Sequence, residues 1–343
     1  MYLFSNEIVF RGHPDKVCDQ ISDALLDAYM TADPYSRCGI EVMGGKGNIF
    51  VTGEVTSKAR VDEDYVINKV LESVGYDPFA YKKVINLGKQ SPDIALGTNN
   101  EVNGAGDNGM MFGYACDDTE ECLPTAMVIL QKLSIWYDGL RQRDRRFLPD
   151  GKAQITGNYF SDGKLESIRT FTVCYQNTEE ERPETDAIII NKINELCDQY
   201  SVPVEKILIN PTGMFQIGGF DGDAGLTGRK IVVDSYQGFA PVGGGAFSGK
   251  DPTKVDRTAA YKARQLAKRI LQQDGSVHSV LIQLSYAIGL TNPLAIGLTI
   301  NGTRMELVSD ELYEECSVRR MIDDLGLRHK KFEPLARFGH FTD

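Results

Sequence analysis

The strongest constraint on this 343-residue chain is an order of elements that comes round three times. Residues 14–31 place Val17, Ile21, Ala24, Leu25 and Tyr29 at helical spacing behind Pro14, a residue suited to a first helical turn. Two strand-like runs follow, RCGIEVM and NIFVTGEV, joined by GGKG; then a helix over about 62–75 and the strand KKVINL. A second round opens at Pro124 with a helix to about 141, the hairpin KAQITGNYF–SDGK–LESIRTFTVCY, a helix over 184–200 and the strand KILIN. A third opens at Pro252 with a helix, the strands SVLIQLSYAI and LAIGLTI, and a helix over about 308–325. Helix–hairpin–helix–strand three times predicts an α+β chain of three similar units, helices packed on mixed β-sheets. We divide it into 1–98, 99–216 and 217–343, with junctions near 91–105 and 217–223. The first junction, SPDIALGTNNEVNGA, suits a lid as well as a linker.

A net charge of −11 argues against bulk attraction to nucleic acid or an anionic membrane, so an anionic ligand needs a local cluster of cations. Seven cysteines without a C-x-x-C pair read as reduced thiols of a cytoplasmic protein. Neither a signal-peptide pattern nor an apolar run of the roughly 20 residues a membrane span needs is present, so no membrane partner is expected.

Four glycine- or proline-marked stretches hold the chemistry. GHPDK at 12–16 puts His13, Asp15 and Lys16 at a helix N-terminus, where free N–H groups and a partial positive charge attract anions. GAGDNG at 104–109 fits G-x-G-x-x-G, but no strand precedes it and no helix follows, so a dinucleotide fold fails on context. GDAGLTGRK at 222–230 sets Arg229 and Lys230 ahead of IVVD, which reads as a strand. GGGAFSGKD at 243–251 nearly spells a P-loop, yet Asp251 stands where that motif needs a hydroxyl. GKDPTKVD echoes GHPDKVCD, with Pro252 in the place of Pro14. Two such helix starts, facing one polyphosphate with magnesium on Asp15 and Asp256, need no P-loop hydroxyl.

These stretches, with GKQSPDI at 88–94, INPTG at 209–213 and SYAIG at 285–289, resemble the methionine adenosyltransferase (S-adenosylmethionine synthetase) family from about residue 4 to 341. The resemblance implies three intertwined domains, association as a homodimer or homotetramer with sites between subunits, and conversion of ATP and L-methionine to S-adenosylmethionine, phosphate and diphosphate. It implies that His13 lies nearest the departing oxygen, with Lys16 and Lys250 on the polyphosphate and Arg229 and Lys230 further along it. Asp15 and Asp256 become Mg2+ ligands, two ions per site, and Glu41 a K+ ligand. Methionine falls to Glu54, Asp107, Asp223, Gln90 and Lys254. Phe215 and Ile288 line the adenine pocket, Asp150 takes the ribose hydroxyls, Lys152 and Ala246 lie alongside, and 91–103 is a mobile lid. Without the resemblance, Glu41 and Glu54 read as solvent-facing strand residues, and Phe215 and Ile288 as core. His278, His329 and His340 match no motif.

Several positions depart from the family's pattern. Arg11 replaces an acid, which is expected to change the charge beside His13; Val242 replaces a His, Met214 an Arg, Asn108 a Gln and Asn177 a His. Two alternatives therefore stand beside the main reading: an adenosyltransferase for another thioether, and a weakly active regulatory paralogue.

Overall fold

Among the described residues, hairpins and crossovers assemble into three four-stranded sheets. The structure, a computed structural model, describes residues 1–91, 104–178, 182–305 and 309–342. In chain order the elements are β1 (Tyr2–Val9), α1 (Pro14–Ala32), β2 (Arg37–Gly45), β3 (Asn48–Thr56), α2 (Glu63–Val74), β4 (Lys82–Gly88), β5 (Gly109–Cys116), α3 (Thr125–Arg141), β6 (Phe147–Tyr159) and β7 (Leu165–Asn177). Then come α4 (Arg182–Gln199), β8 (Ile207–Ile209), β9 (Gly225–Leu226), α5 (Val255–Gln273), β10 (Ser279–Tyr286), β11 (Ala295–Ile300), β12 (Thr303–Arg304), α6 (Asp310–Glu315) and α7 (Val318–Asp324).

The sheet orders are β9-β2-β3-β4, β1-β6-β7-β8 and β5-β10-β11-β12. Each repeat keeps its own hairpin and receives one edge strand from another repeat. β1 pairs antiparallel with β6, β5 with β10, and β9 with β2. This cyclic exchange is the intertwining of the three units. In two sheets the fourth strand is parallel to its neighbour, β4 on β3 and β8 on β7, because a helix crosses over between them. In the third, β12 returns from β11 as a hairpin.

Four details differ from the sequence expectation. β1 and β9 were not foreseen. Ile231–Asp234 is a single helical turn rather than a strand, with Asp234 N–H donating to the Lys230 carbonyl. The helix expected over 308–325 is broken at Cys316–Ser317 into α6 and α7. Pro252 does not open α5: Asp251 Oδ1 accepts from the Thr253 N–H at 2.9 Å and its hydroxyl at 2.7 Å, a local turn that delays the helix to Val255.

Helices α1 and α5 are buried along most of their length between sheets, and α1 carries its polar residues inside. A fully buried pair joins them: Arg257 Nη2 donates to Asp23 Oδ2 at 2.6 Å, both side chains 0% exposed. Asp27, one helical turn beyond Asp23, accepts from the N–H groups of Phe332 at 2.9 and 3.0 Å and of Glu333 at 3.0 Å, anchoring the C-terminal segment on α1. Burial pushes the Asp27 carboxyl up to about 6 against those hydrogen bonds. Between pH 4 and 6 the folded chain therefore holds a proton that the unfolded chain releases, so this residue's contribution falls as pH rises. The stability of wild type relative to Asp27→Asn is expected to decrease from pH 4 to pH 7, as measured by urea unfolding. An unchanged difference contradicts the assignment.

Candidate active site

The polar residues gather at two structurally equivalent helix starts. His13 caps α1 with extended backbone (φ −60°, ψ 138°), and Asp15 is the second helical residue. Lys254 occupies the same place on α5 (φ −82°, ψ 112°), followed by Val255 and Asp256. The corresponding position of α3 is Ala126, without a charge. Two of the three repeats thus present a carboxylate among free helix N–H groups.

At the first start, Asp15 is 1% exposed yet surrounded by donors. Its Oδ1 accepts from Leu226 N–H at 3.0 Å, its Oδ2 from Lys230 Nζ at 2.5 Å, and Arg229 Nε lies 3.5 Å away. His13 Nδ1 accepts from Asp15 N–H at 3.2 Å, so the neutral ring carries its proton on Nε2. Burial, reinforced by Lys230, lowers the His13 pKa to about 4, and the ring stays a neutral N–H donor at pH 7. Asp150 accepts from Gly219 N–H at 2.8 Å, and burial raises its carboxyl to about 6. Gln176 ties Asp150 to the Phe215 segment: its Oε1 accepts from Asp150 N–H at 3.3 Å and its Nε2 donates to the Gln216 carbonyl at 2.8 Å. Lys152 is exposed on the adjoining strand, 4.0 Å from Glu7, and Asp223 is exposed near His13.

At the second start, Lys250 Nζ donates to Asp256 Oδ2. Lys254 Nζ donates to Asp251 Oδ2 at 2.7 Å and lies 3.9 Å from Glu54. Glu41, Glu54, Lys89, Ala246 and Lys250 line a cavity of about 460 Å³. Among the described residues Gln90 Nε2, next in sequence to the lining Lys89, is buried without a partner. Asp107 is exposed, and Asn108 Oδ1 accepts from Ile288 N–H at 2.8 Å. Neither apolar candidate is core: Ile288 is 47% exposed and Phe215 half-buried.

The glycine-rich stretch is not a P-loop. Its last residues pair with β2 beyond the two-residue β9, Ile40 N–H donating to the Gly249 carbonyl at 3.0 Å and Asp251 N–H to the Cys38 carbonyl at 3.2 Å. Gly249 has φ +82°, and a methyl group on Gly245 would overlap the Asp256 carboxylate. Gly245→Ala is therefore expected to displace Asp256 and lower kcat/KM about 100-fold with the fold retained, since small misplacements at a reacting centre carry costs of that order. Steady-state kinetics beside circular dichroism checks it. Asp251, in the P-loop's hydroxyl position, instead holds Lys254.

Comparison with known proteins completes the picture. The S-adenosylmethionine synthetase N-terminal, central and C-terminal domains match residues 1–92, 102–215 and 217–343. The S-adenosylmethionine synthase of Prochlorococcus marinus (strain MIT 9301) is 38% identical over 387 residues, covering 99% of this chain and 93% of the relative. That of Granulibacter bethesdensis is 40% identical, covering 99% and 91%, and S-adenosylmethionine synthase 2 of Rhodospirillum rubrum 41%, covering 99% and 92%. The chain belongs to the S-adenosylmethionine synthetase family. It is an enzyme of the methionine adenosyltransferase type.

Within that family pattern two expectations change. Lys16, expected on the polyphosphate, is turned into the interior. It is 1% exposed and donates to Asp234 at 2.6 Å and Asp19 at 3.1 Å. Burial alone would lower its pKa, but those carboxylates outweigh it and hold the ammonium above the ordinary lysine value. Its structural equivalent is the buried Arg257 of α5. Arg11 likewise points away from His13, donating to Gln20 at 2.8 Å and Ser73 Oγ at 2.7 Å, with Asp138 3.4 Å away. Its charge is compensated in the interior.

Sequence reasoning missed the carboxylates that position the site. Asp19 Oδ1 accepts from Gly228 N–H at 2.9 Å and Asp23 Oδ1 from Gly249 N–H at 2.8 Å, so α1 holds both cation-bearing loops. The signal was present in the i, i+4 spacing of Asp15, Asp19 and Asp23. The proposed lid, 91–103, lies outside the described residues but for Ser91.

Proposed function

We propose that this chain makes S-adenosylmethionine from ATP and L-methionine. The sulfur lone pair forms the bond to ribose C5′, the C5′–O bond breaks, and its electron pair leaves on the triphosphate, which is then hydrolysed to phosphate and diphosphate. The observation that carries this reading is the matched pair of lysine–carboxylate clusters at the starts of α1 and α5. A thioether needs no general base; the barrier lies in the charge building on the leaving oxygen. Neutral His13 donates from Nε2 to that oxygen, while Lys250, Lys230, Arg229 and Lys152 hold the phosphates. Such preorganised donors form the largest single contribution in many enzymes. Asp150 accepts from the ribose hydroxyls, and Phe215 and Ile288 flank adenine beside Ala246. Gln90 and Lys254 hold the methionine carboxylate, and Glu54, Asp107 and Asp223 its ammonium. Lys16 acts by locking α1 to the turn at 231–234.

The hard oxygens of Asp15 and Asp256 suit Mg2+, which takes one or two carboxylates and completes its shell with phosphate and water. Among the described residues no group of three or more His, Cys, Asp or Glu forms a dedicated metal cage, in keeping with that mode. Two Mg2+ per site supply neutralisation of the triphosphate charge when bound, and Glu41 offers an oxygen to K+.

The site is shared between two copies in this reading, as a homodimer or homotetramer. Along β2, the Leu226 and Lys250 backbones pair four residues apart, at Met43 and Gly39, roughly 13 Å at strand spacing. One chain's clusters thus face the edge of β2 side by side rather than across a cleft. The outer sheet face beside Glu41 and Glu54 carries Met43, Phe50 and Val84 in register, 47, 40 and 39% exposed, an apolar strip for a second copy to cover. Units 1–98, 99–216 and 217–343, with a lid over 91–103 and a cytoplasmic location, complete the proposal. No described helix is long and apolar enough to cross a membrane.

Mass spectrometry of products from ATP, Mg2+, K+ and L-methionine tests it. The expected result is S-adenosylmethionine, with little ATP consumed when methionine is omitted. ATP hydrolysed equally with and without methionine, and no sulfonium product, contradicts it.

A further inference from the structure

Helix α2 ends by aiming one aromatic side chain at the start of α1. Gly75 adopts φ +96°, its N–H donates to the Leu71 and Glu72 carbonyls at 3.0 and 3.1 Å, and the Tyr76 N–H donates to the Leu71 carbonyl at 2.9 Å. A bond spanning six residues over a left-handed glycine folds the chain back on the last helical turn and fixes where Tyr76 leaves it. Tyr76 Oη then donates to the Gly12 carbonyl at 2.7 Å, 64 residues away in sequence. Burial, with the Asp150 carboxylate nearby, holds the phenol well above its ordinary pKa, so the hydroxyl stays a donor.

Gly12 is wedged between two elements. Its N–H donates to the Pro149 carbonyl at 3.2 Å, and a methyl group on it would overlap the Pro149 backbone. The Tyr76 hydroxyl closes the other side, one residue before His13. The same hydroxyl also meets Gly219. A methyl group there would lie 2.5 Å from Oη and 2.6 Å from Cζ, and the backbone is left-handed (φ +59°), so glycine is required. The Gly219 N–H is the one that donates to Asp150 Oδ2. Gly12, Pro149, Asp150, Gly219 and Tyr76 thus form a closed circuit of contacts, and Tyr76 is the member that joins its two ends.

We infer that Tyr76 is a positioning residue for sulfonium formation, its hydroxyl setting the His13 segment against the turn that holds Asp150. This rests on the proposed reaction, in which His13 donates to the departing oxygen and Asp150 accepts from the ribose hydroxyls. The two groups then stand on either side of the C5′–O bond that breaks. The loops carrying Arg229, Lys230 and Lys250 are held separately, through Asp19 and Asp23 of α1. Loss of the hydroxyl therefore slows cleavage at C5′ and spares hydrolysis of the triphosphate.

The test is Tyr76→Phe in the full chain, which keeps the ring beside Gly219 and deletes one donor. Two activities are followed: S-adenosylmethionine formation from ATP and L-methionine, and phosphate release from added tripolyphosphate and Mg2+. The kcat for sulfonium formation is expected to fall about tenfold, with both KM values and tripolyphosphate hydrolysis within about twofold of wild type. A merely structural role would lower both activities together, in step with the loss of folded protein seen by urea unfolding. Equal losses in the two activities, or a sulfonium kcat within about twofold of wild type, overturn the inference. A wild type that forms no sulfonium product refutes the proposed reaction and this inference with it; an active wild type matched by its variant refutes the inference alone.

Discussion

Lys250→Ala is expected to lower kcat for sulfonium formation by about 100- to 1,000-fold, with a much smaller change in the KM for methionine. A single preorganised donor to a developing negative charge is worth about that factor. Two unit charges 4 Å apart at an effective dielectric of 20 interact by about 4 kcal/mol, which leaves room for the loss after desolvation. Lys250 Nζ is partnered only by the Asp256 carboxylate in the described structure, so alanine removes a charge from the site rather than a strut from the core. The thermal midpoint should therefore stay near that of wild type. A variant with near-normal kcat would show that the second cluster has no part in stabilising the leaving group.

Arg257→Met is expected to act the opposite way, costing about 3–5 kcal/mol of stability because it strands a buried carboxylate. Asp23 has no exposure, and Arg257 is its ion-pair partner at 2.6 Å while stacking on Phe332 at 4.4 Å. The double variant Asp23→Leu/Arg257→Met should lose less than the single, since neither charge remains inside. Urea unfolding at fixed protein concentration separates the two, and a single variant as stable as wild type would contradict the buried-charge account. Asp23 also receives the Gly249 N–H, so the weakened single variant should bind triphosphate more loosely.

Much of this was legible before the structure. α1 and α3 start at or one residue after Pro14 and Pro124 because local sterics and apolar periodicity decide helix starts. Hairpins closed by GGKG and SDGK are local too. What local sequence does not carry is pairing across the chain. β1 meets β6 with Tyr2 opposite Tyr159, and β9 is only two residues long, so neither strand has a pattern that identifies its partner. IVVD has the β-branched composition of a strand, yet the Lys230 carbonyl and the Lys16–Asp234 bond wind it into a turn. Composition lost to tertiary context there.

For the site, the motifs located both helix starts, and the structure brings Asp15, Arg229, Lys230 and His13 together, and Lys250, Lys254, Asp256 and Glu54. Lys16 shows the limit of motif reading. Asp15 meets Arg229 and Lys230 at the helix start, while helix geometry turns residue 16 inward onto Asp19 and Asp234. Asp251 shows the converse. A residue that disqualifies a P-loop proves to organise Lys254, Thr253 and the Cys38 N–H of β2 around one carboxylate.

In the proposed shared site, Lys230 and Lys250 act on one triphosphate from two copies of the chain. The direct measurement mixes Lys230→Ala and Lys250→Ala chains after co-refolding and assays S-adenosylmethionine formation. In randomly paired dimers half the molecules are mixed, and each mixed dimer has one intact site, so the account predicts recovery to about a quarter of wild-type activity from two nearly inactive parents. A mixture no more active than its parents would place both lysines on the same chain's site, or one of them outside it, and contradict the account.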